Sequence, residues 1–227
     1  MNSLSLNESF SLSQQIERDR LRHISLGIKS LVDRAVALVA LLLLSPVLVV
    51  VAIAIYLQIG SPIVFCQLRP GKQERLFAFY KFRTMTSACG ADGRLLPDAD
   101  RMTPIGEFLR RTSLDELPQL WNVVRGDMSI VGPRPLLVQY LNRYSPEQAQ
   151  RHAVKPGITG LAQVRGRNSL SWEKRFEHDV WYIQNWSLWL DCQILMETVL
   201  KVIRKEGISQ EGYATCEEFI GTIQGTD

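Results

Sequence analysis

Cysteine is scarce and scattered. Cys66, Cys89, Cys192 and Cys216 show no CxxC pair and no Cys/His ligand spacing, which argues against zinc and against a disulfide framework. No Walker A sequence and no G-x-G-x-x-G appears, so the two common glycine-rich phosphate cradles are excluded. A G-x-S-x-G nucleophile elbow is missing too. Neither sign of charge dominates. The 26 basic and 23 acidic residues leave +3, too mild to call for a nucleic-acid partner. Apolar residues, at 46% against 22% charged, exclude global disorder. A chain of 227 residues is long enough for one domain with a core of its own.

Charge is absent altogether from Ala35 to Leu57, AVALVALLLLSPVLVVVAIAIYL. At about 1.5 Å per residue, a straight helix of this length covers a hydrocarbon core of roughly 30 Å. The run starts too late and is too long for a signal-peptide h-region, and no small-residue cleavage pattern follows. Ser45-Pro46 interrupts it. Pro46 has no N–H and crowds the carbonyl of Leu42, while Ser45 is pushed from helical dihedrals. One reading is a kinked transmembrane helix. The other is a helix-break-helix that enters and leaves by one face. Both flanks are basic: Arg18, Arg20, Arg22, Lys29 and Arg34 before, Arg69, Lys72, Arg75, Lys81 and Arg83 after. The positive-inside rule keeps basic flanks in the cytoplasm, which favours re-entry. The expected organisation is a loosely ordered polar tail over 1–23, a re-entrant membrane hairpin over 24–59 and a globular domain over 60–227.

Within the globular part, Ile63–Phe65 and Leu76–Phe82 read as short strands joined at Arg69-Pro-Gly-Lys72. Thr103-Pro104 predicts an N-cap and N1 pair opening a helix to Arg111. Ser113 opens the next helix, to about Val124, and Gly126 stops it. Gly132-Pro-Arg-Pro135 cannot be regular structure. A helix from about Pro146 to His152 and the loop Lys155–Gly160 follow. Ser171 caps a long helical stretch, broken near Asn185–Ser187. That stretch holds Trp172, Trp181, Tyr182, Trp186 and Trp189, which are either a core stripe or rings at headgroup level.

The acidic pair Asp115-Glu116 carries the first candidate chemistry. One account is structural: Ser113-Leu-Asp-Glu116 fits a capping box, with acids favoured in a first turn. The other makes Asp115 a carboxylate nucleophile at a helix start that also offers N–H groups to a phosphate. Arg110 and Arg111 would neutralise such a substrate. Arg134, Lys155, Arg165 and Arg167 sit in loops stiffened by Pro and Gly, which suits phosphate recognition. Asp98-Ala-Asp100 resembles a metal-binding D-x-D, but reads as a solvated acidic turn.

An ordered set of motifs goes further. It comprises Lys29/Asp33-Arg34, Ser45-Pro46, Lys81-Phe-Arg-Thr-Met85, Thr112-Ser-Leu-Asp-Glu-Leu-Pro-Gln119, Asn122, Gly132-Pro-Arg-Pro135, Lys155-Pro-Gly-Ile-Thr-Gly160 and Asp179. From about Lys29 to Gly221 the chain resembles the bacterial monotopic phosphoglycosyl transferases, the sugar transferases that start glycan assembly on polyprenol phosphate. The resemblance implies an α+β fold, a small helix-rich catalytic domain with short strands and interfacial amphipathic helices, on an N-terminal re-entrant membrane helix. It implies a bacterial inner-membrane enzyme facing the cytoplasm. Such an enzyme moves a sugar 1-phosphate from a UDP-sugar to undecaprenyl phosphate and releases UMP.

Residue by residue, the resemblance implies Asp115 as nucleophile and as ligand of Mg2+, with Glu116 assisting. Arg110, Arg134, Arg165 and Arg167 become phosphate clamps, and Lys81 and Asp179 orienting groups. Partners are then the UDP-sugar, undecaprenyl phosphate and the membrane, with no nucleic acid; a homodimer is compatible. Glu211–Thr215 and Phe219–Gly221 resemble the compact subgroup that includes the diacetylbacillosamine transferase, which points to an N-acetylated sugar. Larger members add an N-terminal membrane domain that is not expected here. The alternatives are the same chemistry on UDP-glucose or UDP-galactose, and a non-catalytic membrane scaffold whose acids are only caps.

Overall fold

The computed structural model describes residues 3–166, 169–204 and 218–221, with side chains at Arg20 and from Ile24 onward. The fold is α+β. Helix α1 runs Ser3–Gln58. A hairpin of β1 (Val64–Pro70) and β2 (Leu76–Phe82) follows, then α2 (Asp98–Arg101), α3 (Pro104–Thr112) and α4 (Gln119–Arg125). Next come β3 (Ser129–Val131), α5 (Pro146–Ala149), β4 (Gly157–Thr159) and α6 (Leu161–Arg165). Helices α7 (Trp172–Gln184) and α8 (Leu188–Arg204) close the described fold. β1 and β2 pair antiparallel from Val64↔Phe82 to Pro70↔Leu76. β3 and β4 form a short parallel pair, which the loop-like sequence of Lys155–Gly160 did not signal.

Two expectations for the N-terminal half change. Residues 3–23, expected as a loose tail, are helical; no Pro or Gly stands before Gly27 to stop a helix. Nor does the helix break at Ser45-Pro46. The Ser45 hydroxyl donates to the Leu42 carbonyl at 2.8 Å. That carbonyl is the one that lost its partner when residue 46 became proline, so a side chain makes good the missing donor.

Ile24–Gln58 is long and apolar enough to cross a membrane. Yet one stripe of α1 is core. Ala37 packs with Phe77, Phe79, Leu120, Val123 and Met128. Val51 and Ile55 pack with Phe82 and Leu109. Burying one such aliphatic side chain is worth about 1.5–3 kcal/mol, so the stripe holds α1 to the domain over most of its apolar length. At its N-terminal end the stripe turns polar. Lys29 pairs with Asp33 at 3.2 Å and with Asp191 of α8 at 2.7 Å. Asp33 also accepts from the Ser129 hydroxyl and from the Ile130 N–H.

The tryptophans divide between the two readings. Trp172 stacks on Phe176 beside Tyr140 and Phe219. Trp186 donates to Asp191 at 3.1 Å. Trp181 and Trp189 are exposed. On α8, Trp189 joins Leu188, Met196, Val199 and Ile203 in an exposed apolar face, whose spacing is that of one helix side.

Candidate active site

The site begins where α3 ends. Thr103 caps α3, its hydroxyl accepting from Gly106 N–H at 3.1 Å and donating to Thr84 O. Gly106 lies so close to Thr84 that a Cβ would fall 1.9 Å from the carbonyl oxygen, so α3 lies directly against the end of β2. Ser113 then takes a left-handed conformation, φ 57°, and ends the helix. It also precedes a 3-10 turn, but its side chain makes no cap hydrogen bond, which corrects the capping-box account and the continuous helix expected from Ser113. A 3-10 turn over Leu114–Glu116 swings Asp115 inward before α4 starts after Pro118.

Asp115 is 7% exposed, and no hydrogen bond or ion pair reaches its carboxylate among the described residues. Burial, and then the Glu116 carboxylate, push it up to about 6, against the pull of Lys81, Arg134 and Arg110. Glu116 is engaged differently. It accepts both arms of the Arg134 guanidinium, at 2.5 and 3.2 Å, the bidentate geometry that makes such pairs strong. Lys81 lies over the Phe65 ring at 5.3 Å. Burial, with Arg110, lowers its pKa while Asp115 raises it. Arg110 donates to Thr84 Oγ1 at 3.1 Å. The cluster sets three cations around two acids.

Arg134 is placed by its loop. Gly132 N–H donates to Thr159 O, and Gly157 N–H to Pro133 O. A Cβ on Gly132 would sit 2.6 Å from Lys155 O. Behind the loop, Arg151 donates to the Arg134 carbonyl and to Asp179 Oδ2, both at 2.7 Å. Asp179, fully buried, therefore reaches the site only through Arg151. Arg69 donates to Pro135 O at 3.4 Å from the other side. Burial and Arg134 lower its pKa to about 10. Arg69 and Arg151 were not expected. Arg69 carries a signal of a kind, since it precedes the Pro-Gly turn; Arg151 sits in a short helical segment without one.

So Lys81, Arg110, Asp115, Glu116 and Arg134 come together as the motif order implied. Arg165 does not. It lies 3.5 Å from Glu197 of α8. Arg167 and Glu211–Thr215 lie outside the described residues. Asp98 pairs with Arg101 at 2.5 Å within α2, as a structured acidic turn. Among the described residues no three His, Cys, Asp or Glu side chains gather into a metal site.

Residues 24–205 match the family described as Bacterial sugar transferase. The chain is 51% identical to the uncharacterized sugar transferase EpsL of Bacillus subtilis, over 86% of this chain and 96% of that one. It is 42% identical to the UDP-glucose:undecaprenyl-phosphate glucose-1-phosphate transferase of Klebsiella pneumoniae, over 80% of this chain and 41% of the other. Identity is 37% to the UDP-N-acetylgalactosamine-undecaprenyl-phosphate N-acetylgalactosaminephosphotransferase of Aeromonas hydrophila, over 86% and 50%. The chain thus spans nearly all of EpsL and half or less of the other two.

Proposed function

Because the chain belongs to the bacterial sugar transferase family, we propose that it moves a sugar 1-phosphate from a UDP-sugar to undecaprenyl phosphate and releases UMP. The named activities of the Klebsiella and Aeromonas relatives support the reaction class. One observation carries the assignment of the site. Asp115 is buried without a hydrogen-bond partner among the described residues, beside a Glu116 that is already locked to Arg134. The scaffold reading took the acids as part of a capping box, and the Ser113 side chain that such a box requires makes no cap hydrogen bond.

In this mechanism an ionised Asp115 oxygen attacks the β-phosphorus. The P–O bond to the α-phosphate breaks and UMP leaves with the bridging oxygen. An oxygen of the polyprenol phosphate then attacks the same phosphorus, the aspartyl O–P bond breaks, and the carboxylate is restored. Arg110 and Arg134 face the diphosphate charge, and Lys81 holds Asp115 toward its ionised form. Glu116 fixes the Arg134 fork, and Asp179 with Arg151 fixes the Arg134 backbone. The second Asp115 oxygen suits a hard cation that takes one carboxylate and completes its shell with phosphate and water. Bound there, Mg2+ would neutralise diphosphate charge.

The membrane placement follows from α1. Its domain-facing stripe runs from Lys29 to Ile55, about 39 Å at the helical rise. A perpendicular span would pull the packed domain into a hydrocarbon core of roughly 30 Å. This supports a helix that stays on one side of the inner membrane, with the domain in the cytoplasm. The active site then lies at headgroup level, where lipid phosphate meets nucleotide. For the sugar, we infer an N-acetylated donor from the subgroup-like tail. Initial UMP release should be faster with UDP-N-acetylhexosamines or UDP-diacetylbacillosamine than with UDP-glucose or UDP-galactose. A hexose as best donor would replace that inference and leave the reaction class intact. No UMP from any donor with undecaprenyl phosphate and Mg2+ would sink both.

A further inference from the structure

Lys155 stood out in the sequence as a cation in a rigid loop, yet it is not brought to Asp115. Its ammonium donates to Ser30 Oγ of α1 at 2.8 Å. There it lines a cavity of about 60 Å³ with Leu26, Lys29, Ser30, Lys72 and Trp186. The cavity is far from the chemistry. Leu114, beside Asp115, packs near Leu48 of α1, and Ser30 to Leu48 is about 27 Å along a helix.

The charges here are unequally matched. Lys29 is held by Asp33 and Asp191. Lys72 and Lys155 form no ion pair among the described residues. Burial, then Arg34 and Lys72, lower the Lys155 pKa, while Asp33 and Asp127 raise it. The two acids on Lys29 are already engaged, which leaves the Lys72 and Lys155 ammoniums to face an anion. The cavity is also apolar on one side, where Leu26 and Trp186 line it. The exposed apolar face of α1 starts beside it at Ile28, Leu31 and Val32, and Leu188 and Trp189 follow Trp186. A small free anion has no use for apolar walls that continue into a lipid-facing surface. A headgroup attached to acyl chains uses both.

We propose that this cavity binds the phosphate of an anionic bilayer lipid between Lys72 and Lys155, with the lipid's chains running along the exposed face of α1. The site is separate from the one at which the acceptor lipid reacts, and it does not rest on the reaction assigned above.

Native mass spectrometry of the full chain in zwitterionic detergent tests this, with phosphatidylglycerol or phosphatidylcholine titrated in. Two lysines near a lipid surface correspond to a preference of about thirtyfold for the anionic lipid. The wild type should retain one phosphatidylglycerol with a preference of that order. The double variant K72Q/K155Q should lose it, and K72R/K155R should keep it. The single variant K72Q changes only an exposed side chain and should lose about fivefold, which guards against misfolding of the double variant. UMP release in detergent with undecaprenyl phosphate, but without phosphatidylglycerol, should be unchanged in K72Q. Equal retention of both lipids by the wild type, or an unaltered preference in K72Q/K155Q, would overturn the proposal. So would displacement of the lipid by millimolar inorganic phosphate, which would make this a free-anion site.

Discussion

Two places in this molecule set a pair of carboxylates among cations, and they are built to opposite ends. Around Lys29, Asp33 accepts from the ammonium, the Ser129 hydroxyl and the Ile130 N–H. Asp191 accepts from Lys29, from Tyr182 OH at 2.7 Å and from Trp186 Nε1. Every acid there is engaged, and the group ties α1, β3 and α8 together. Around Asp115, one acid is satisfied by a forked guanidinium and the other has no donor among the described residues. Buried charge with full pairing is scaffold, whereas buried charge held short of pairing is stored reactivity. Net charge and burial alone would not separate the two.

The comparison breaks most sharply at Asp115. Asp115→Asn keeps shape and removes the nucleophile. UMP release should fall about a thousandfold or more. Stability above pH 6 should be unchanged or higher, by roughly 1–3 kcal/mol, because a buried carboxylate whose pKa is raised by folding has been removed. Lys29→Met should do the reverse. It leaves Asp33 and Asp191 buried without their cation, at a cost of about 3–5 kcal/mol. Early unfolding and proteolysis between α1 and the domain would report it. A stable Lys29→Met protein would mean that the two acid pairs are not different in kind.

Smaller effects sharpen the contrast. The Asp115 pKa is raised, so the carboxylate is present above about pH 6 and is lost as pH falls through that value. UMP release should therefore show an acid limb near 6. Glu116→Gln removes the neighbouring charge that contributes to the rise, and should move that limb to lower pH. Smallest is Arg151→Lys, which keeps the charge toward Asp179 but cannot donate to Asp179 and the Arg134 carbonyl with one planar fork. Loss of kcat exceeding tenfold, with little change in the melting temperature, would show that Arg151 positions Arg134 and is not merely core.

What the sequence made legible was local. The β-hairpin, the Thr103-Pro104 helix start, the Gly126 stop, with φ 86°, and the Ser171 cap, accepting from Lys174 N–H, each depend on a few adjacent residues. Ser113 was misread because the same four letters suit a capping box, whereas Ser113 ends α3 in a left-handed conformation, its N–H donating to Arg110 O and Leu109 O. The β3–β4 pair and the Arg151 link join residues far apart in the chain, with no periodicity to announce them. The motif order did place the acids and Arg134 at one site. It could not tell that Arg165 would turn to Glu197, or Lys155 to Ser30.

The stripe of α1 has a bearing on modularity. Ala37, Val51 and Ile55 fill the interior of the domain that follows them, so the anchor is not a leash that could be cut or exchanged. A fragment beginning at residue 60 would open the seats of these side chains over Phe77, Leu109 and Leu120. Any lineage that traded this helix for another membrane attachment would have had to rebuild the interior at the same time.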